Sequence, residues 1–401
     1  LPSHILFITS SNLATNPRCL KEIRLALQLG YKVSVIKFAY NNWSQALEKD
    51  IELGLQEVKF YRISAERSPF FPWLVSTLLS AISNKICRFF KESGPLLAIA
   101  ADKRTWLIQR GVEKNRLAPD FIIAHNPAAF WPAYHLARKG KIPFATDVED
   151  YHPGETHDKA RVDIMEGLMK KILPHATYVS FASRLIQQQT VEKIPAIKSP
   201  FVIDNCFEKD EFLFTDGDVE ETTLQLVWFS QNINHSRGLE LLLPVIAQFE
   251  NLVTVTLIGN LKDDFREILS PFSSFIKILE PMPQPTLHHL LSNFDVGLAI
   301  EPAKDLNNNI LLSNKIWSYF QSGLFILASS TQGQKKFLHE QALHGRLFDF
   351  NEVDSLKKAI IYLLENKVAI RSQKKERFER ARRFSWENES KRLIQAWREI
   401  L

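Results

Sequence analysis

Apolar residues along this chain come in short unbroken runs, separated by stretches in which they recur every third or fourth position. His4-Ile5-Leu6-Phe7-Ile8 reads as a buried strand, and Asn16-Pro17 opens a helix with an apolar Leu20, Ile23, Leu27 face and a stop at Gly30. The next strand is Tyr31 to Phe38. Asp120 to Ala124 forms another, then a helix through Ala133 and Ala137, the strand Pro143 to Thr146 ending on Asp147, and Tyr178 to Phe181. Strands joined through helices make a parallel, doubly wound sheet, with ligands at the carboxyl ends of its strands.

A polar, acidic run from Asn205 to Thr223 breaks this rhythm, and the strong strand Leu224 to Phe229 restarts it. The helix Leu239 to Phe249 follows, then strands at Val253 to Ile258, Ile276 to Leu279 and Val296 to Ile300. Leu312-Ser313-Asn314-Lys315-Ile316-Trp317-Ser318-Tyr319-Phe320-Gln321-Ser322-Gly323 then combines a polar cap, a short apolar-faced helix and a glycine stop before the strand Leu324 to Ala328. The pattern predicts an α/β chain of two Rossmann-like domains with an inter-domain cleft. Their expected limits are 1–204, a linker at 205–223, 224–384, and a helix at 385–401 that crosses back to the first domain. That helix carries Leu393 and Trp397, a stripe in need of an apolar partner.

Composition narrows the class. A chain of 401 residues exceeds one hydrophobic core, and 45% hydrophobic with 24% charged residues is ordinary globular usage. Cys19, Cys87 and Cys206 are scattered and form no CxxC or Cys/His cluster, so no disulfide framework or zinc site is expected and a reducing cytoplasm suits them. The opening residues Leu1 to Ser10 lack a basic region and cleavage site, so no signal peptide is expected. Lysine plus arginine exceed aspartate plus glutamate by 50 − 45 = 5, too small an excess to imply nucleic acid. Lys374, Lys375, Arg377, Arg380, Arg382 and Arg383 cluster near the end among Glu376 and Glu379 and read as a solvated helix face. Pro69 to Ile82 is too short to span a bilayer. It reads either as a buried helix or, with the basic residues after it, as an interfacial one extending over Phe70 to Phe90.

The candidate chemistry is anionic. The helix opening at Ser313, Asn314 and Lys315 offers backbone N–H groups and an ammonium, which suit phosphate, although an ordinary αβ unit has the same pattern. A second polar loop, Ser230-Gln231-Asn232-Ile233-Asn234-His235-Ser236-Arg237-Gly238, follows the strand at Leu224 and ends at a helix start. Asp216-Gly217-Asp218 has the DxD form of a metal-dependent transferase, but in an acidic linker it reads better as a turn.

Together these segments resemble the retaining glycosyltransferases of family 4, which have the GT-B fold. Asn16-Pro17-Arg18 through Gly30-Tyr31-Lys32-Val33 resembles the family's first helix and turn. Ile123-Ala124-His125-Asn126-Pro127 resembles its H-x-P motif, Thr146-Asp147-Val148-Glu149-Asp150 its D-x-H-[DE] strand end, and Val202-Ile203-Asp204-Asn205 its V-I-x-N motif. The resemblance implies transfer of a sugar from a nucleotide-diphosphate sugar to a glycan or lipid-linked acceptor, in surface polysaccharide synthesis. It implies His125, Arg237 and Lys315 as catalytic, His125 at the transferred sugar and the two cations at the leaving diphosphate. Ser230, Gln231, Gly238, Met282, Asn309, Ser313, Asn314 and Ser318 are implied at the donor, and Asn16, Arg18, Asp147 and Glu149 on the acceptor side. No cofactor and no metal is expected, with peripheral membrane contact through Phe70 to Phe90 at the inner face.

Three departures stand out. Where many members carry two glutamates with seven residues between them, this chain has Ile310 and Ser318, and the second of these would contact the ribose. The glycine-rich loop after the first strand is replaced by Ser10-Ser11-Asn12-Leu13-Ala14-Thr15, and Glu149 replaces a histidine. They leave a catalytically silent scaffold of the same fold as the alternative, and a sugar-nucleotide 2-epimerase as a poorer one.

Overall fold

The computed structural model describes residues 2–87, 93–215 and 222–401. Asp216 to Asp218 and the basic end of the proposed membrane segment, 88–92, lie outside the described residues. The chain divides into two compact units, Leu1–Asp204 with Arg392–Leu401, and Asn205–Lys391.

The first unit is built on seven parallel strands: β1 (His4–Thr9), β2 (Lys32–Ala39), β3 (Lys59–Ser64), β4 (Phe121–His125), β5 (Phe144–Val148), β6 (Val179–Phe181) and β7 (Pro200–Val202), in the order β3-β2-β1-β4-β5-β6-β7. Inside, β1 and β4 are apolar up to their last residues, Thr9 and His125, with Ile5, Leu6, Phe7 and Ile8 at 0% exposure, which is why they read as unbroken runs. Helix Lys391–Ile400 belongs largely to this unit: Leu393 and Trp397 are fully buried, and Trp397 Nε1 donates to Tyr178 Oη at 2.9 Å. Its indole also meets the edges of Phe7 and Tyr31. Arg392 Nη1 donates to the Val202 carbonyl at 2.6 Å and fastens the helix to the last strand.

The second unit has six parallel strands: β8 (Leu224–Ile233), β9 (Val253–Leu261), β10 (Ile276–Leu279), β11 (Val296–Ala299), β12 (Phe325–Ser329) and β13 (Gly345–Phe348), in the order β10-β9-β8-β11-β12-β13. β8 runs past the expected Phe229 to Ile233 through an irregularity between Phe229 and Asn232. The segment expected as a linker is not a bare connection over its described part. Cys206, Phe207 and Phe212 are buried in this unit's core against Trp317, Phe320 and Phe337, because the run carries apolar side chains between its acidic ones.

Two other expectations change. Helix Phe70–Cys87 is no core helix: it buries Ser76, Ser83 and Cys87 and exposes Phe70, Phe71, Leu78 and Ile82. No helix among the described residues is long and apolar enough to cross a membrane. In helix Lys374–Ala381, Lys374 and Arg377 are buried rather than solvated. Lys374 Nζ donates to the Ser292 carbonyl, while Arg377 donates to the carbonyls of Gly323 at 3.0 Å and Ile370 at 2.6 Å. These cations cap backbone carbonyls that packing would otherwise strand.

Candidate donor and acceptor sites

Each sheet changes direction once, between β1 and β4 in the first unit and between β8 and β11 in the second. At such a switch point the two flanking loops part and leave a crevice at the carboxyl ends of the strands. Most of the expected site residues lie on segments that flank these two places.

In the first unit, strand register sets the geometry. Thr9 lies beside His125 and His125 beside Asp147, with Ser180 beyond, so four strand ends come level. Asn16 caps helix Pro17–Gln28: its Oδ1 accepts from Cys19 N at 3.0 Å and its Nδ2 donates to Thr9 Oγ1 at 3.3 Å. One helical turn separates Arg18 from Glu22, and both point at the strand ends. Arg18 donates twice to Asp147, from Nε at 2.7 Å and Nη2 at 2.8 Å, and a third time to the Ile203 carbonyl at 2.6 Å. Ser180 Oγ donates to Asp147 Oδ1 at 2.6 Å. His125 lies between carboxylates, Nε2 3.3 Å from Glu22 Oε2 and Nδ1 3.5 Å from Asp147 Oδ2.

All four members of this cluster are about 1% exposed. Burial opposes charging the His125 ring, but Cys19, Glu22 and Asp147 outweigh it and hold its pKa well above the ordinary imidazole value. Burial likewise opposes ionising Asp147, yet Arg18 and His125 keep its carboxyl far below the usual range. Two cations thus face two anions, the arrangement that makes buried charge tolerable. Arg18 and Asp147, expected on the acceptor side, are turned inward as each other's counter-ions. Glu149 is partly exposed, and burial together with Asp150 and Asp147 raises its pKa to about 7. Asn126, next to His125, takes φ 71° and ψ 151°, a backbone region nearly restricted to glycine and strained by about 1–3 kcal/mol.

Glu22, His125 and Asp147 are the one group among the described residues with three potential metal ligands within 4.8 Å of one another. They do not fit a metal, because both Asp147 oxygens are already occupied by Arg18 and a cation there would face the guanidinium.

In the second unit, Ser230 and Gln231 lie within the long β8, and the loop returns to helix Leu239–Ile246 through Gly238. Gly238 has φ 84°, and a Cβ would come within 2.6 Å of Ile300 and 2.8 Å of Phe350, so only glycine fits. Arg237 is exposed; its Nε makes one long contact to Asn234 Oδ1 at 3.4 Å, and it has no carboxylate partner among the described residues. Across the switch point, helix Asn314–Gln321 opens after Ser313, whose side chain does not cap it. Lys315 is not a free cation: its Nζ is 2.9 Å from Glu301 Oε1, with both side chains about 12–13% exposed. The Glu301 backbone N–H donates to Ser329 Oγ at 2.9 Å, which fixes this carboxylate at the strand ends. Asn314 is the first residue of the helix, and Asn309 Oδ1 accepts from Gln332 N at 3.0 Å.

Ser318 is drawn inward. It is 1% exposed, and its Oγ is 3.0 Å from His288 Nε2, while His288 Nδ1 is 2.8 Å from Glu211 Oε2. The imidazole packs against Phe207 and Phe212 at 4.4 Å. A serine here serves the core, so the expected ribose contact finds no hydroxyl turned to the site. Met282 is partly buried against the same core.

The sequence reading missed Glu22, Ser180, Glu301, His288 and Glu211. Only Glu22 left a local signal, its spacing of four from Arg18; the others depend on pairing between distant segments.

The structure is similar to sucrose-phosphate synthase from Thermosynechococcus elongatus, with a TM-score of 0.69, 13% identity and 99% of each chain covered. It is similar to Anabaena HepE in complex with UDP, with a TM-score of 0.66, 14% identity, 99% of this chain and 100% of the other covered. A third likeness is to the lipopolysaccharide outer core galactosyltransferase WaaB, with a TM-score of 0.65, 12% identity and 99% and 100% covered. The fold is GT-B. No known family profile and no curated protein matches the sequence.

Proposed function

We propose that this protein is a retaining glycosyltransferase of family 4 type that takes a sugar from a nucleotide-diphosphate sugar, without a metal, and passes it to a glycan or lipid-linked acceptor in surface polysaccharide synthesis. The observation that carries this reading is Arg237, an exposed guanidinium without a carboxylate partner among the described residues, at the switch point of the second sheet. A departing diphosphate gains charge as the sugar leaves, and a positioned cation binds it more tightly then than in the ground state. Lys315 contributes a second cation, tempered by Glu301. The UDP and UDP-glucose in the HepE complexes support a nucleotide-sugar donor for this chain as well.

Peripheral contact with the cytoplasmic face of a membrane belongs to this proposal, supported by the exposed Phe70, Phe71, Leu78 and Ile82. Flotation with neutral and anionic vesicles tests it, and no recovery with either would remove it.

A UDP-sugar panel with mass spectrometry of the product tests the transfer itself. Arg237→Ala should cut turnover about a hundredfold, equivalent to about 2.7 kcal/mol of transition-state stabilisation, with an unchanged melting profile. Lys315→Ala should also slow turnover, by less, because Glu301 already offsets part of the charge this ammonium presents to the diphosphate. Full activity of both variants, or dependence on added manganese, would overturn the donor assignment. The inward Ser318 favours a second reading, a silent GT-B scaffold; absence of both donor binding and donor hydrolysis would select it.

A further inference from the structure

A cavity of about 510 Å³ runs beside β3, the edge strand of the first sheet, and no site discussed above includes it. Its walls are β3, helix Arg104–Asn115 and the first turns of helix Phe70–Cys87. Lys103, Arg104, Arg110 and Lys114 all line it. Their spacing puts them on one helix face, a row of positive charge about 16 Å long. None of the four has a carboxylate ion-pair partner among the described residues, whereas a fifth lining cation, Arg62, is bound to Glu52 at 2.5 Å. Among the described residues the only carboxylate in the lining is Glu66, whose Oε1 accepts from Asn41 N at 3.1 Å. Aromatic rings line it as well, Tyr61 on β3 and Trp73 on the helix Phe70–Cys87, with Lys103 Nζ 5.8 Å from the Trp73 ring centre.

We infer that this cavity binds an anionic saccharide chain, one carrying carboxylate or phosphate groups. It is far too large for a single phosphate and lies in the range of sites that enclose a ligand of several rings. Guanidinium and ammonium groups spaced along a trough match charges spaced along a chain, and flat aromatic faces with Ser64, Ser76 and Asn115 beside them suit sugar rings with apolar faces and hydroxyl edges. A membrane is the poorer occupant. At about 100° per residue, Pro72, Trp73 and Ser76 face the cavity from the side of their helix opposite to Phe71, Leu78 and Ile82. One end of the trough reaches the carboxyl edge of the sheet, where Arg104 Nη1 donates to the Ser10 carbonyl at 3.2 Å. The inference rests on the transferase reading in taking the occupant as the acceptor's non-reacting portion.

Calorimetric titration of the full chain with tetragalacturonate, phosphorylated maltotetraose and neutral maltotetraose tests it. The expected result is binding of one or both anionic chains, with the preferred one identifying the charged group, and none of the neutral one. The charge-reversal pair Arg110→Glu/Lys114→Glu, both exposed positions, should weaken this binding at least tenfold, while the control pair Lys357→Glu/Lys358→Glu in the second unit should not. UDP binding, measured on the same samples, should be the same in all. No binding of either anionic chain, equal binding of the neutral chain, indifference to the charge reversal, or tighter binding of a single-stranded oligonucleotide would each overturn the inference. Loss of UDP binding with intact binding of the anionic chain would instead count against the transferase reading alone.

Discussion

Replacing Asp147 by Asn tests whether the first switch point is an internal ion cluster or an acceptor contact. The substitution keeps the shape but removes the charge that Arg18 meets with two hydrogen bonds at 2.7 and 2.8 Å, and Ser180 with one at 2.6 Å. Arg18 is 1% exposed, so its guanidinium cannot turn to water. Breaking such a pair from one side costs about 3–5 kcal/mol, and the nearby Glu22 brings the expectation to the lower end, about 3 kcal/mol. Hydrogen exchange suits a chain of two units, which need not unfold together. Exchange limited by opening should quicken about a hundredfold in β4, β5 and β6 and stay unchanged in β8 to β13, which serve as the internal reference. Replacing both partners, Arg18→Met with Asp147→Leu, should restore most of the protection, since neither charge is then stranded. Less than threefold quickening in the single variant, accompanied by loss of sugar transfer, would refute the counter-ion role and return Asp147 to the acceptor side.

The remaining predictions concern pH. Glu149 has a folded pKa of about 7 against an ordinary value near 4.5, so it favours folding in its protonated form and that contribution is lost as pH rises from 4.5 through 7. The full shift corresponds to about 3 kcal/mol, reduced to roughly 1–2 kcal/mol because the side chain is partly exposed. Glu149→Gln should therefore raise the melting temperature at pH 8 and leave it unchanged at pH 4.5; equal shifts at both would refute the assignment. His344 behaves in the opposite sense. Burial lowers its pKa from 6.5 to about 4 while its Nε2 donates to the Arg377 carbonyl at 3.1 Å, so its contribution is complete above pH 6.5 and declines as pH falls toward 4. Urea titrations should show the second unit losing up to about 3 kcal/mol across that window, and a flat profile in both native protein and His344→Gln would count against it.

The central strands were legible because they are buried on both faces and therefore written as apolar runs: His4 to Ile8, Phe121 to Ala124, Leu224 to Phe229 and Leu324 to Ala328. Three strands escaped, β3, β7 and β13, and all three are at sheet edges. Edge strands are half solvated and short, so Lys59 to Ser64, Pro200 to Val202 and Gly345 to Phe348 carry polar or breaking residues that hide the period. The Leu393 and Trp397 stripe announced a buried helix, but the partners Phe7, Tyr31 and Tyr178 come from strands and turns far away in the chain.

The candidate site divides the same way. Sequence by itself determined which loops end strands and open helices, and so put His125 at a strand end, Arg237 in the loop before a helix and Lys315 at a helix start. It could not determine what faces them. Whether a cation is free or paired depends on which other strand end lies beside it: Glu301 reaches Lys315 because β11 leads into the loop before that helix, and Asp147 reaches Arg18 because β4 and β5 end level. Ser318 turned inward for the same reason, since His288 and Glu211 arrive from segments 30 and 107 positions earlier. Local patterning is set by burial period and backbone geometry, which a short window contains. Charge pairing falls off within a few ångströms and is set by neighbours in space, which only the folded sheet order supplies.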